Sequence, residues 1–377
     1  MERNRIRVLF VITRCLKSGP VQQIWNIINN LDREDFEPYV ITLYPELHSN
    51  SILEKYKEIV SVEHVATSRK ELLLGRHSKL DQYIKKIEPD VIHSLGVLPD
   101  YSMKRYTNHI FTCRNYVYDD YPVYYGFLKG TILAKIHMSV IRDSRYVVTC
   151  SKTLRKVYLE KENIQLPYIQ NGVDLSKYFP TKSHEEMIKL REKLGLPIEK
   201  KLFVYGATFH DRKNHDFLLR AFKEYPDKDK YSIVLLGDGP NFEKLKNEYK
   251  DEQDVIFAGR RLDIDDYYRA SDYYVSTSKS EGLPNGVLEA MASGLPVLLS
   301  DIEQHHEVLD EGGEIGFTYI QEDIQDFHSK LDLIGTLNQD EIKSKATEYV
   351  NKHFSAAHMS RQYQQLYLMI ATGQTNG

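Results

Sequence analysis

Short apolar runs rich in Val and Ile alternate along the chain with segments whose apolar positions recur every three or four residues, the pattern of parallel strands joined by helices. In the first half the runs predict strands at 6–12, 39–43, 90–94, 110–113 and 146–150, with helices over 21–31 and 80–86. The segment 167–173 reads as a boundary. Beyond it, strands are expected at 202–206, 232–237, 255–258, 273–276 and 297–300, and helices at 215–224, 241–249, 264–270 and 284–293. The fold class is therefore α/β, two doubly wound Rossmann-like domains facing each other across a cleft, at 1–170 and 171–357. Tyr363, Leu366 and Ile370 share one helical face, so a terminal helix within 358–377 is expected to pack back on the first domain.

One stretch carries more chemistry than the rest: Ser280-Glu281-Gly282-Leu283-Pro284-Asn285-Gly286-Val287-Leu288-Glu289-Ala290-Met291-Ala292-Ser293-Gly294-Leu295-Pro296. Pro284 suits a first helical position, Asn285 and Gly286 leave the backbone amides unobstructed, Gly294 terminates the helix and Pro296 prevents its continuation. The amides and positive dipole end of such a helix favour an anion such as a diphosphate. Glu281 and Glu289 flank that position, where carboxylates suit sugar hydroxyls.

This wording resembles the Glu-x7-Glu signature of glycosyltransferase family 4, retaining enzymes of the GT-B fold that use nucleotide sugars. Gln170-Asn171-Gly172-Val173-Asp174, Leu235-Leu236-Gly237-Asp238-Gly239-Pro240 and Phe257-Ala258-Gly259-Arg260 are similar to further phrases of the family, and Glu88-Pro89-Asp90-Val91-Ile92-His93 is the clearest echo in the first half. The resemblance implies that Glu281 contacts the donor sugar and stabilises charge at its anomeric carbon. It gives Glu289 the nucleotide ribose, and Leu283, Pro284, Asn285 and Gly286 the phosphate end through their amides. It makes Lys213 the principal cation for the diphosphate. The Arg usual after Gly206 is Ala207 here, and Arg212 either compensates or is solvated. Gly19, between the first strand and its helix, allows close approach of a phosphate or forms an ordinary turn. Arg114 stands where the family often has His, and it either reaches the donor or serves structure. Retention without an evident nucleophile implies front-face displacement, in which the leaving phosphate takes the acceptor's proton.

Asp263-Ile264-Asp265-Asp266 could be read as a manganese-binding Asp-x-Asp, but the acids directly precede a helical pattern and are explained as its N-terminus. No metal and no cofactor is expected. Cys15, Cys113 and Cys150 are three and widely spaced, which gives neither a disulfide framework nor a metal spacing and suits a reducing cytoplasm. Met1-Glu2-Arg3-Asn4-Arg5-Ile6-Arg7 is basic, and the apolar run after it is too short for a signal peptide or a membrane span.

Residues 1–170 carry 25 Lys and Arg against 19 Asp and Glu, a net of +6, and the remainder 25 against 35, a net of −10. Lys129, Lys135, Arg142, Arg145, Lys152, Arg155 and Lys156, interleaved with Ile132, Leu133, Ile136, Met138 and Val140, form either a solvated helix face or a surface for an anionic membrane. The expected partners are a nucleotide sugar, with UDP as carrier and a hexose or N-acetylhexosamine as cargo, and a glycan or lipid-linked acceptor of capsule, lipopolysaccharide or teichoic synthesis. No nucleic-acid partner is expected. The protein should work in the cytoplasm or peripherally on the cytoplasmic membrane face. A GT-B nucleotide-sugar epimerase or hydrolase, or a catalytically silent sugar-nucleotide binder, are the alternatives.

Overall fold

The computed structural model describes residues 5–47, 51–68, 71, 78–309 and 315–374; residues 1–4 of the basic start and 375–377 of the expected terminal helix lie outside the described residues. The chain divides into two compact units, Met1–Gly172 with Ala356–Gly377, and Val173–Ser355. These limits fall two residues from the expected ones, 170 and 357.

The first unit holds β1 (Ile6–Ile12), β2 (Phe36–Thr42), β3 (Val62–His64), β4 (Val91–Leu95), β5 (His109–Cys113) and β6 (Tyr146–Thr149), in the order β3-β2-β1-β4-β5-β6. All pairings are parallel. Central strands of such a sheet are covered on both faces, so they read as unbroken apolar runs: Val8 to Ile12 are all fully buried. One cover is the helix Gly19–Asn29, whose Ile24, Ile27 and Ile28 meet Met359, Tyr363, Tyr367 and Ile370 of the final helix Ala356–Thr372 in one core. Polar tips in this core are paired. Tyr367 Oη lies 2.6 Å from His93 Nδ1, Tyr363 Oη 2.7 Å from Thr112 Oγ1, and Ser360 Oγ donates to the Ile27 carbonyl at 2.9 Å. Each such apolar side chain contributes on the order of 2 kcal/mol.

The second unit repeats the plan with β7 (Lys201–Gly206), β8 (Tyr231–Leu236), β9 (Val255–Gly259), β10 (Tyr273–Ser276), β11 (Val297–Ser300) and β12 (Gly316–Tyr319), ordered β12-β11-β10-β7-β8-β9 and parallel. In both sheets the first and fourth strands are neighbours, and chain progress reverses direction between them. Loops leaving the carboxyl ends of such a pair diverge and open a crevice. In the second unit those loops are 207–214, after β7, and 277–284, after β10. Arg191, on the helix His184–Leu194, fixes the opposite ends of these strands. It donates to Asp272 Oδ2 at 2.6 Å and to the Ala270 and Lys200 carbonyls, while Asp272 also accepts from the Leu202 amide at 2.7 Å.

One expectation needs correction. The basic segment beginning at Lys129 is not one surface: it is divided among the helix Phe127–Asp143, β6 and the helix Lys152–Glu162, and Met138 and Val140 are buried in the core. Arg142 is paired with Glu162 at 2.7 Å. The Asp263 tetrad does cap a helix, Ile264–Ala270, and its acids are ion-paired: Asp263 with Arg261, Asp265 with Lys177 and Arg269, and Asp266 with Lys193 and Arg269.

Candidate active site

Lys213 and Glu281 come from the two loops that diverge at the β7/β10 switch point, and their side chains form an ion pair. Loop 207–214 reaches this position through a single 3-10 turn, Asp211–Lys213, which closes on Asn214 in the left-handed conformation, φ 55°. The turn is pinned through its backbone. Tyr205 Oη donates to the Lys213 carbonyl at 2.9 Å, Thr277 Oγ1 reaches the Lys213 and Asn214 carbonyls at 2.9 and 3.0 Å, and the Lys279 amide donates to the Arg212 carbonyl at 2.8 Å. Arg212 in turn donates to the Ser280 carbonyl at 3.2 Å. The two loops are one hydrogen-bonded block, which holds the backbone of Lys213 close to the Glu281 loop.

The Glu281 side chain is only 9% exposed. Burial alone would raise its carboxyl, but the Lys213 and Arg212 charges, with hydrogen bonds from Lys213 and Ser278, outweigh it and hold the group below the usual carboxylate range. Glu281 is therefore ionised at neutral pH. Arg212, uncertain from sequence, belongs to the electrostatics of the site.

The helix that follows is Asn285–Ala292, with Pro284 as its N-cap rather than its first turn. Pro284 has no N–H, so it cannot offer an amide to a phosphate as expected; its carbonyl instead accepts from Val287 and Leu288 at 3.1 and 3.2 Å. Leu283 is buried. The helix entrance lies against the sheet: a Cβ on Gly286 would sit 2.6 Å from Tyr274 Oη and 3.3 Å from the Gly206 carbonyl. Only glycine lets the first amides stand so close over the switch point.

Glu289 faces two phenols that the sequence reading missed. The Tyr178 and Tyr268 hydroxyls bond to its carboxylate, and both are buried, which together with the Glu289 charge pushes them far above the ordinary phenol value. They remain donors and fix the carboxylate's orientation. Tyr178 stands four residues beyond the phrase Gln170-Asn171-Gly172-Val173-Asp174, and its aromatic character was the available signal. Beneath Glu281, Ser278 is braced by Ser300, whose Oγ donates to its carbonyl at 2.5 Å, and His305 Nδ1 donates to the Ser300 carbonyl at 2.7 Å.

His305 is buried and neutral, with burial lowering its value to about 4. A depressed histidine contributes stability that is complete above the unfolded value near 6.5 and is lost as pH falls toward the folded one. Between these limits His305 steepens the acid loss by up to one proton, about 1.4 kcal/mol per pH unit. Urea titrations from pH 7 to 4.5 should show a shallower slope for His305→Gln; an unchanged slope would count against this account.

Gly19 and Arg114 belong to the first unit. Gly19 opens the helix Gly19–Asn29 after β1, and Arg114 follows β5, where it donates to Asn171 Oδ1 at 2.9 Å. Arg114 Nη1 thus meets an amide, not the carboxylate of a salt bridge, and Arg114 Nε is buried without a hydrogen-bond partner.

Residues 17–177 match the family described as Glycosyltransferase Family 4, and residues 186–353 the one described as Glycosyl transferases group 1. The chain thus carries a Glycosyltransferase Family 4 domain followed by a Glycosyl transferases group 1 domain. Its match to the putative glycosyltransferase EpsF of Bacillus subtilis is 33% identical and covers 38% of this chain and 37% of that protein. A UDP-Gal:alpha-D-GlcNAc-diphosphoundecaprenol alpha-1,3-galactosyltransferase of Escherichia coli is 29% identical over 47% of this chain and 46% of its own length. The chain thus spans less than half the length of these two curated relatives. In fold, this glycosyltransferase resembles the Anabaena HepE crystallised with UDP and glucose, with a TM-score of 0.78 at 17% identity over 96% of this chain and 99% of that one. Among the described residues no cluster of three or more His, Cys, Asp and Glu could hold a metal ion, and no helix is long and apolar enough to cross a membrane.

Proposed function

We propose that this glycosyltransferase moves a hexose or N-acetylhexosamine from a UDP-sugar to a glycan or lipid-linked acceptor in surface-polysaccharide assembly, with retention of configuration and without a metal ion. The observation that carries the reading is the ionised Glu281 held by Lys213 and Arg212 beside the entrance of the helix Asn285–Ala292. A diphosphate entering there meets two cations and the helix amides. Lys213 passes from Glu281 to phosphate oxygens, and Glu281 then faces the anomeric carbon as positive charge develops. The departing phosphate takes the acceptor's proton, so no histidine base is needed. Glu289, oriented by Tyr178 and Tyr268, takes the ribose hydroxyls. Gly19 and Arg114 would serve the donor from the first unit.

UDP as carrier is supported by HepE and by the galactosyltransferase, whose name also includes a lipid-linked acceptor. Such an acceptor calls for a protein working at the cytoplasmic face of a membrane. The exposed Lys129, Lys135 and Arg145 supply positive charge for that role.

UDP should raise the melting temperature by roughly 5–10 °C at a hundredfold excess over Kd, and GDP and ADP should do much less. Turnover should persist in EDTA. A strict manganese requirement would overturn the metal-independent part. Donor consumption without any acceptor would favour the hydrolase or epimerase, and tight UDP binding without turnover the silent binder.

A further inference from the structure

Of the fourteen large apolar side chains exposed among the described residues, six lie within the ten positions 123–132: Val123, Tyr124, Tyr125, Phe127, Leu128 and Ile132. The rest are scattered singly, as ordinary surface residues are. Phe127 and Leu128 are 77% and 78% exposed. They occupy the corner where the helix Val117–Tyr125 meets the helix Phe127–Asp143 through one residue, Gly126, at φ 79°.

The corner is held firmly. A Cβ on Gly130 would fall 2.2 Å from the Tyr121 carbonyl oxygen, so the two helices touch backbone to backbone. Tyr121 Oη lies 2.5 Å from His137 Nδ1 with the rings stacked, and His137 Nε2 lies 3.0 Å from Asp100 Oδ2, all three side chains being buried. Ser94 Oγ donates to the other Asp100 oxygen at 2.5 Å and ties the network to β4. An apolar tip on a rigid base is a built feature.

The chemistry around the tip selects its occupant. From position 121 to 142 the charged residues are Lys129, Lys135 and Arg142, with no acid. A second copy would present the same cations, and a protruding corner offers little of the roughly 800 Å² per partner that a stable protein interface needs. Aromatic and aliphatic side chains accompanied by Lys129 and Lys135 suit the boundary between lipid headgroups and acyl chains, which such elements enter by about 5–10 Å.

We infer that the corner formed by Val123, Tyr125, Phe127, Leu128 and Ile132 inserts into the surface of an anionic bilayer, with Lys129 and Lys135 at headgroup level. This deepens the proposed action on a lipid-linked acceptor and rests on that reading for its purpose. It replaces adsorption through a basic helix face with anchoring through an apolar wedge.

The test uses the full chain and vesicles of phosphatidylcholine, alone or mixed with phosphatidylglycerol. Trp25, the chain's one tryptophan, is 7% exposed and serves as an internal blank. Leu128→Trp should be quenched by lipids brominated high on the acyl chain, with wild type unaffected. The double variant Phe127→Ser, Leu128→Ser should bind mixed vesicles at least about tenfold more weakly, with the UDP-induced melting shift retained as proof of folding. Undiminished binding of the double variant, combined with loss of binding in Lys129→Gln, Lys135→Gln, would overturn the wedge and leave the membrane reading standing. No binding of wild type to either vesicle would overturn both. A dimeric wild type made monomeric by the serine pair would reassign the corner to a subunit contact.

Discussion

Glu281→Gln is expected to lower kcat for sugar transfer by roughly 10²- to 10³-fold, the cost of removing one preorganised electrostatic contact to a transition state. Nucleotide affinity should change little. The substituted amide keeps the shape of the side chain and loses the charge that Lys213 and Arg212 hold in place. Glu289→Gln should act differently, because its partners are the neutral Tyr178 and Tyr268 hydroxyls and its proposed target is the ribose. There KM and the UDP dissociation constant should rise while kcat largely survives, the signature of lost uniform binding. Steady-state kinetics with titration calorimetry separates the two. Equal and small effects of both substitutions would remove Glu281 from the chemistry.

Lys213→Met should reduce both transfer and stability. Transfer should fall at least about a hundredfold, since a charge-assisted contact to the diphosphate is lost where the usual arginine is already replaced by Ala207. The stability loss, about 3 kcal/mol at neutral pH, comes from leaving Glu281 buried without its nearest cation. Its pH dependence has a definite sign. In the wild type the lowered Glu281 value contributes stability that is complete above the unfolded carboxylate range and disappears as pH falls through the folded value. In the variant, burial is opposed mainly by Arg212 and Ser278, and the carboxyl rises. The wild-type advantage should therefore shrink on acidification. Lys213→Met combined with Glu281→Gln should recover part of the stability by removing the stranded charge. A double variant no more stable than Lys213→Met alone would show that the two side chains are not coupled.

The sequence made the site's location legible because it rests on topology as much as on motif. Strands with both faces covered announce themselves as apolar runs, and β1, β10 and β11 fall where the runs predict them. Once β7 and β10 are recognised as first and fourth strands of a doubly wound sheet, the loops carrying Lys213 and Glu281 must border one crevice. Of the four edge strands, β6 and β9 were legible and β3 and β12 were not. β3 is three residues long with Glu63 and His64 exposed, and β12 opens on Gly316 with only Tyr319 fully buried, so each is too short on core positions to leave a pattern. The helices Val117–Tyr125 and Phe127–Asp143 were hidden for another reason: their exposed corner is as apolar as their buried faces, which blurs the helical period. The phenols holding Glu289 escaped because Tyr178 and Tyr268 are distant in sequence from it and no spacing rule links them. Pro284 shows the opposite failure, where a sound preference for the first helical turn gave way to a cap one residue earlier.

The final helix has a consequence for how the chain is made. Synthesis delivers the whole of the second unit as one uninterrupted block, whereas the first unit lacks Met359, Tyr363, Tyr367 and Ile370 until the helix Ala356–Thr372 leaves the ribosome. Until then Ile24, Ile27 and Ile28 line an open furrow, and the half of the protein translated first is the half completed last. Chaperone demand should concentrate on that waiting interval, and a stop codon shortly after Ser355 should yield chains in which the downstream unit is finished while the upstream one is prone to aggregate.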